Sequence, residues 1–444
     1  MGEPRGRGWM VERFFRVSRW SLSLTLAAVM TVLPMSPAMA SYGHRRHHYR
    51  RYRHHSVGAV PMYHAALLED ADSGEVLYSK DPSLEWPPAS MAKMMLLLVA
   101  EDQLKSGRVS LDDPVRISER SALTAGSHLG LREGQVYPLR DLMKAALIRS
   151  ANDAAVAVAE KIGGSVEATV RMMNAKAHAL GMDDTYYGTI DGLPPVPGHD
   201  VDHTTALDLA ILARAIIHST TLLQWSSMEE APFDDGRVIL RNTNHLIGHF
   251  DGCDGLKTGF TMKAGFNLTA TAKRGNMRLI SVILGAPSNP ERFIQSARLL
   301  SWGFDNFSRV EVLRRGEPLP VHVQLQSGGS IQPVAENDIA VVLPKARASG
   351  VTLKYNIPQS VSWPVSSGES LGEITVLDGN DVMTTVDAIC PLGAGDAPPN
   401  QLQAAAPTAP VTNTESKGML PISGRQSVTD ALGPMSVNSA QENR

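Results

Sequence analysis

Short alternating runs of apolar and polar residues mark both ends of residues 63–306, and longer runs with apolar residues three or four apart fill the middle. Ala65–Asp70 and residues 75–80 read as two strands joined through Ala71-Asp72-Ser73-Gly74, with glycine at the turn. Pro87-Pro88 blocks continuation of either helix or strand, and Ser90 then opens an almost wholly apolar run to Ala100 that predicts a buried helix. Within 141–162, Leu142, Ala145, Ala146 and Ile148 recur at helical spacing until the polar break Arg149-Ser150-Ala151-Asn152-Asp153. That break is either a turn projecting side chains into a cleft or an N-cap for a helix over 154–160. Helices are also predicted over 170–180 and 205–218. Asp254-Gly255-Leu256-Lys257-Thr258-Gly259-Phe260-Thr261 then reads as a strand leading into an antiparallel hairpin over 266–272 and 279–284, turned at Arg274-Gly275-Asn276 and followed by a helix over 291–302. Past Phe307 only short alternating strands remain, as at 321–325, 339–343, 351–355 and 373–377, which predicts a small all-β domain over 307–393.

The two ends carry neither period. Residues 1–40 join five arginines, an apolar run from Leu22 to Leu33 and Pro37-Ala38-Met39-Ala40, the layout of an export signal cleaved near Ser41. The run is short for a spanning helix and is followed by Pro34 and Pro37. Residues 41–62 include the tract YGHRRHHYRRYRHH, expected to be a spacer or a weak adhesive for anionic membrane or wall surfaces. Residues 394–444 are rich in Pro, Ala and polar residues, too poor in apolar content to fold. The formal net charge of −3 and ordinary apolar fraction suit a globular protein, and nothing points to nucleic acid. Cys253 and Cys390 are read as two buried thiols rather than a disulfide, since one bridge is no scaffold for a chain of 444 residues.

Three short patterns carry chemistry. Ser90-Met91-Ala92-Lys93 places a hydroxyl and an amine on one helix face, so a lysine held neutral by burial or by a second cation could take the serine proton. By itself the pattern usually marks a capped helix start with a solvated lysine. Ser150-Ala151-Asn152 at the polar break and Lys257-Thr258-Gly259 on a strand make an ordered trio with it, in the settings of helix start, inter-helix turn and strand.

With the flanking PASMAKMM, RSANDAAVAVAE, MNAKAHALGM and DGLKTGFT, the stretch from Tyr63 to Phe304 resembles the serine D-alanyl-D-alanine carboxypeptidases, the low-molecular-mass penicillin-binding proteins. The resemblance implies an α/β (α+β) transpeptidase or β-lactamase-like domain over 63–306, with an antiparallel sheet against a helical cluster, followed by a β-domain. It implies removal of the terminal D-alanine from peptidoglycan pentapeptides through an acyl-enzyme, acylation by β-lactams and no metal or organic cofactor. Carried over, Ser90 is the nucleophile and Lys93 its base. Ser150 relays a proton to the leaving amine, and Asn152 holds the substrate backbone. Lys257 keeps Lys93 neutral and draws the substrate carboxylate, which Thr258 bonds. The oxyanion donors are the backbone N–H groups of Ser90 and of Phe260, the residue after Gly259.

Two departures stand out. Residues 186–198 read YYGTIDGLPPVPG where relatives carry an Asn-Pro-His-Gly type sequence, so no substrate contact is carried over there. The C-terminal tail lacks a basic amphipathic anchor, leaving the N-terminal tract as a replacement. A class A β-lactamase would need a glutamate after the second motif, and none lies between Glu167 and Glu229. A D,D-endopeptidase and a non-catalytic wall-binding protein remain alternatives, the latter opposed by the intact Ser90, Lys93 and Lys257.

Overall fold

The computed structural model describes residues 62–194 and 201–391. The expected export segment, the His/Arg/Tyr tract and the C-terminal tail lie outside the described residues. The chain opens with β1 (Ala65–Asp70) and β2 (Val76–Lys80), paired antiparallel around the anticipated turn. A 3-10 turn (Ala89–Met91) leads into α1 (Ala92–Lys105). After β3 (Pro114–Arg116), α2 (Glu119–Ala122) and β4 (Val136–Pro138) come α3 (Leu139–Lys144) and a π-helical turn (Ala145–Arg149). The helices α4 (Asn152–Gly163), α5 (Val166–Leu180), α6 (Ala206–Ile217) and α7 (Thr220–Ser226) follow, then the small hairpin β5 (Glu230–Phe233) and β6 (Val238–Arg241). The sheet is completed by β7 (Cys253–Thr261), β8 (Gly265–Arg274) and β9 (Met277–Ala286), and α8 (Asn289–Asn306) closes the unit.

The five-stranded sheet runs in the order β2-β1-β9-β8-β7, wholly antiparallel. Side chains alternate across it. Ala65 and Leu67 of β1 and Ile280, Val282 and Leu284 of β9 face the helical cluster, while Ala66, Leu68, Leu279 and Ile283 pack with Phe293, Leu299, Leu300 and Phe304 of α8. Both faces are therefore covered, which is why β1 is buried at every position. Full burial of each such leucine stabilises by roughly 1.5–3 kcal/mol. α1 lies at the centre of the helical cluster, buried from Ala92 to Glu101, and this explains a run with almost no polar face. β7 is left at the sheet edge, beside the start of α1.

The helix expected from Ser90 begins two residues later. Pro88 and Ala89, the latter at φ +49°, tighten the entry into a 3-10 turn that holds Ser90. The polar break belongs to the first reading and not the second: α4 starts at Asn152 without a side-chain cap, and Ser150 adopts a left-handed conformation at φ +64°. Thr205 is the N-cap of α6, its hydroxyl accepting from Asp208 N–H.

From Phe307 the strands Phe307–Leu313, Val323–Leu325, Ile339–Pro344, Val351–Asn356, Ser370–Asp378 and Asp381–Ile389 build the all-β part, with a core including Ile339, Val341, Leu343, Ile374 and Val376. Phe307 and Val342 extend the α8 side of the first core, and Arg309 reaches Asp72 at 3.1 Å. Cys390 is buried beside Leu325 and Leu371, as expected, whereas Cys253, the first residue of β7, is only half-buried. No helix among the described residues is long and apolar enough to cross a membrane.

Candidate active site

The 3-10 turn and the first turn of α1 bring Ser90 and Lys93 together as the spacing required. Lys93 Nζ donates to Ser90 Oγ at 3.0 Å. The Lys93 side chain is fully buried, so its amine loses hydration that a charge needs, and burial pushes its pKa down to about 8 against the opposing field of Asp191. Gly259 of β7 lies against this turn: a Cβ there would fall 2.6 Å from the Pro88 carbonyl oxygen. The glycine thus lets the edge strand approach the nucleophile.

Lys257 is also fully buried. Burial first, then the nearby charges of Lys93 and Arg292, hold its amine well below the ordinary lysine range, and it donates to the Thr258 carbonyl at 2.9 Å. The expectation that Lys93 is neutral because of Lys257 needs correction. Loss of solvent is the leading cause for each amine; the charge of Lys93 adds to it for Lys257, whereas for Lys93 the further contribution is the opposing field of Asp191. Thr258 Oγ1 donates to Thr243 Oγ1 at 2.8 Å, which holds its oxygen on the strand edge.

The third wall comes from the break between the π-helical turn and α4. The left-handed Ser150 is buried, and among the described residues no hydrogen bond ties its hydroxyl to Ser90, Lys93 or Lys257. Asn152 donates Nδ2 to the Ala125 carbonyl at 2.7 Å, while its Oδ1 is buried without a hydrogen-bond partner among the described residues. A buried carboxamide oxygen left open is suited to receive a peptide N–H from a substrate. Next to it, Asp153 Oδ2 accepts from the N–H groups of Leu129, Gly130 and Leu131, clamping the loop that supplies Ala125.

Three contributors escaped sequence reasoning. Asp191, in the loop from which nothing was carried over, offers its carbonyl oxygen to Lys93 Nζ at 3.2 Å. Arg292, near the start of α8, donates Nη1 to the carbonyls of Gly259 at 3.1 Å and Asn267 at 3.3 Å, and its Nε has no partner among the described residues. Burial lowers this guanidinium to about 10, so it stays cationic at neutral pH and adds positive charge behind β7. Thr243, reaching in after β6, supports Thr258. The only signal for Arg292 was an arginine in an otherwise helical pattern. Phe260 is half-exposed on the rim and stacks on Phe266 at 4.3 Å between centroids.

The arrangement can do nucleophilic acyl transfer: a hydroxyl beside a desolvated amine, a second proton-carrying hydroxyl, an edge strand for an extended peptide and a cationic end for a carboxylate. Comparison with known proteins agrees. The D-alanyl-D-alanine carboxypeptidase family profile matches residues 60–288, and the profile of the penicillin-binding protein 5 C-terminal domain matches 307–393. The D-alanyl-D-alanine carboxypeptidase DacD of Escherichia coli is 34% identical over 329 residues, 72% of this chain and 84% of that protein. Penicillin-binding protein 5 from Haemophilus influenzae superposes with a TM-score of 0.68 at 29% identity, over 76% of this chain and 98% of that one. Penicillin-binding protein D2 from Listeria monocytogenes, solved with ampicillin bound, gives 0.51 at 31%, over 55% and 98%. A serine-and-lysine site on this fold, matched across most of the length of such relatives, places the chain in the D-alanyl-D-alanine carboxypeptidase family of serine hydrolases.

Proposed function

We propose that the protein removes the terminal D-alanine from peptidoglycan pentapeptide side chains, with Ser90 as nucleophile and Lys93 as base. The observation that carries the reading is the 3.0 Å contact between Lys93 Nζ and Ser90 Oγ in a site where the amine has no solvent. Neutral Lys93 takes the Ser90 proton as Oγ attacks the penultimate carbonyl carbon. The carbonyl oxygen, now negative, is held by the N–H groups of Ser90 and Phe260. Collapse breaks the C–N bond, and the proton passes from Lys93 through Ser150 to the departing D-alanine amine. Water, deprotonated by Lys93, then attacks the acyl-enzyme and restores Ser90. Asn152 Oδ1 receives a substrate N–H, and Thr258 with the Lys257 amine as donor and the charge of Arg292 behind β7 holds the terminal carboxylate.

A β-lactam presents the same carbonyl beside a carboxylate, so it acylates Ser90 by the same route. The ampicillin-bound Listeria relative supports that extension. The chain is read as an exported enzyme with a signal at 1–40, a spacer at 41–62, the peptidase domain at 63–306, the β-domain at 307–393 and a tail at 394–444. The basic spacer serves as a weak membrane or wall adhesive.

The decisive experiment is covalent labelling by a fluorescent penicillin together with release of D-alanine from a pentapeptide. Both should be lost in Ser90→Ala. A wild-type protein that neither labels nor releases D-alanine would instead be a wall-binding protein, and preferential cleavage of a cross-linked dimer would make it an endopeptidase.

A further inference from the structure

Asp202 plays no part in the chemistry above, yet this buried carboxylate is densely bonded. It is 4% exposed; Oδ1 accepts from the N–H groups of Gly188 at 2.8 Å and Thr189 at 2.9 Å, and Oδ2 from Thr189 Oγ1 at 2.7 Å. The Thr189 hydroxyl in turn accepts from Gly192 N–H at 2.9 Å. At the other end, Asn174 of α5 donates to the Tyr187 carbonyl at 2.7 Å and accepts from Tyr187 N–H at 2.8 Å. Residues 187–192 are therefore tied at both ends to the fold, and what they deliver is the Asp191 carbonyl on Lys93 Nζ.

The geometry matters because a neutral amine has two N–H donors and one lone pair. Fixing one N–H on the Asp191 carbonyl restricts rotation about Cε–Nζ and leaves the lone pair free to meet the Ser90 hydroxyl. A base that must first find its direction loses rate. Gly192, at φ +75°, sits so close to the nucleophile turn that a Cβ would lie 1.9 Å from the Ala89 carbonyl oxygen. One segment thus touches both the base and the backbone that carries the nucleophile.

We propose that Thr189 and Asp202 are positioning residues for acylation, holding the Asp191 carbonyl on the Lys93 amine so that its lone pair is aimed at Ser90. This rests on the reading of Ser90 as nucleophile and Lys93 as base. The groups facing Lys93 are Ser90 in the 3-10 turn, Asp191 in the loop and Lys257 on β7, with Arg292 of α8 behind Lys257; the test changes none of them.

Thr189→Val keeps the shape and removes the hydroxyl that joins Asp202 to Gly192, and Thr189→Ser restores it. The readouts are the rate of acylation by a fluorescent penicillin from pH 5 to 10, KM and kcat for pentapeptide, and thermal stability. The valine variant should acylate about tenfold or more slowly with KM changed less than about twofold, as for a misdirected base. Its acid limb should move to lower pH, because the ammonium form loses an acceptor. Serine should return both to near wild type. A valine variant with unchanged rate and limb, or a serine variant that fails to rescue, overturns the proposal. Should the valine variant not fold, Asp202→Asn is read by the same criteria. Covalent labelling that survives in Ser90→Ala would instead overturn the underlying mechanism, so the two failures are distinguishable.

Discussion

Arg292 reaches beneath the edge strand and donates to the carbonyl of Gly259 at 3.1 Å, two residues from Lys257 along β7. A cation fixed there strengthens the field that a substrate carboxylate meets at Thr258. Arg292→Gln keeps a donor and removes the charge. It should lower kcat/KM for a pentapeptide by about ten- to a hundredfold, the range for one charge-assisted contact. With a substrate ending in an alcohol or amide, wild type and variant should differ by less than about threefold. Steady-state kinetics on the two substrates checks this, and an equal loss on both would assign Arg292 to packing alone.

The buried Lys93 amine predicts how acylation responds to pH. Only its neutral form accepts the Ser90 proton, and burial brings its pKa down to about 8. Acylation by a penicillin should therefore rise with pH and level off near pH 8 to 9, where a solvated lysine would keep it rising towards 10. Stopped-flow acylation across pH 5 to 10 measures the limb. Lys93→Arg, which cannot lose its proton in this range, should acylate at least about a thousandfold more slowly.

Gly192→Ala asks for a Cβ where the Ala89 carbonyl oxygen already stands, at a φ that L residues rarely adopt. The turn carrying Ser90 must move. We expect a loss of stability of about 1–3 kcal/mol and a fall in acylation of about a hundredfold or more. Calorimetry and labelling kinetics read the two effects separately, whereas Gly107→Ala, with nothing within 4 Å, should show only the backbone cost in stability.

Glu69 on β1 gives a stability prediction. Burial raises its pKa from 4.5 to about 7, opposed by Arg214 at 3.6 Å and reinforced by Asp70. Between the two values the folded state holds a proton that the unfolded state has released, so this group's contribution falls as pH rises. It is fully present below about pH 4.5 and gone above about pH 7, a span of about 3 kcal/mol. Glu69→Gln removes the titration. The stability of wild type relative to this variant should decline from pH 4.5 to 7.5 in urea unfolding, and a flat difference would refute the shift.

Ser90, Lys93, Ser150, Asn152, Lys257 and Thr258 could be read from the sequence because each pair or trio is local: helix and strand geometry alone sets its spacing. The strands of the main sheet and the helices α1, α4, α5, α6 and α8 followed from periodicity for the same reason, while the short α2 and α7 did not. Asp191 could not be found this way, since it acts through a main-chain oxygen whose direction depends on Asp202 and Asn174. Arg292 looked like any helical arginine until the sheet brought Gly259 over it. The hairpins β3–β4 and β5–β6 were missed because strands of three or four residues carry too little alternation to register. The cause of the Lys93 shift was misjudged because burial is a tertiary quantity, while a second lysine is visible in the text of the chain.

In the sheet order β2-β1-β9-β8-β7, Ala65 pairs with Leu284, so the β1–β2 hairpin cannot be joined to the rest of the sheet until nearly its last strand has been made. Contacts so distant along the chain form late and slowly. Ser90 and Lys93 lie on the early side of that closure, Lys257 and Thr258 on the late side. A chain shortened before β7 can therefore possess its nucleophile and base without the wall they work against, and competence to bind penicillin becomes a report on whether the two ends of the domain have met.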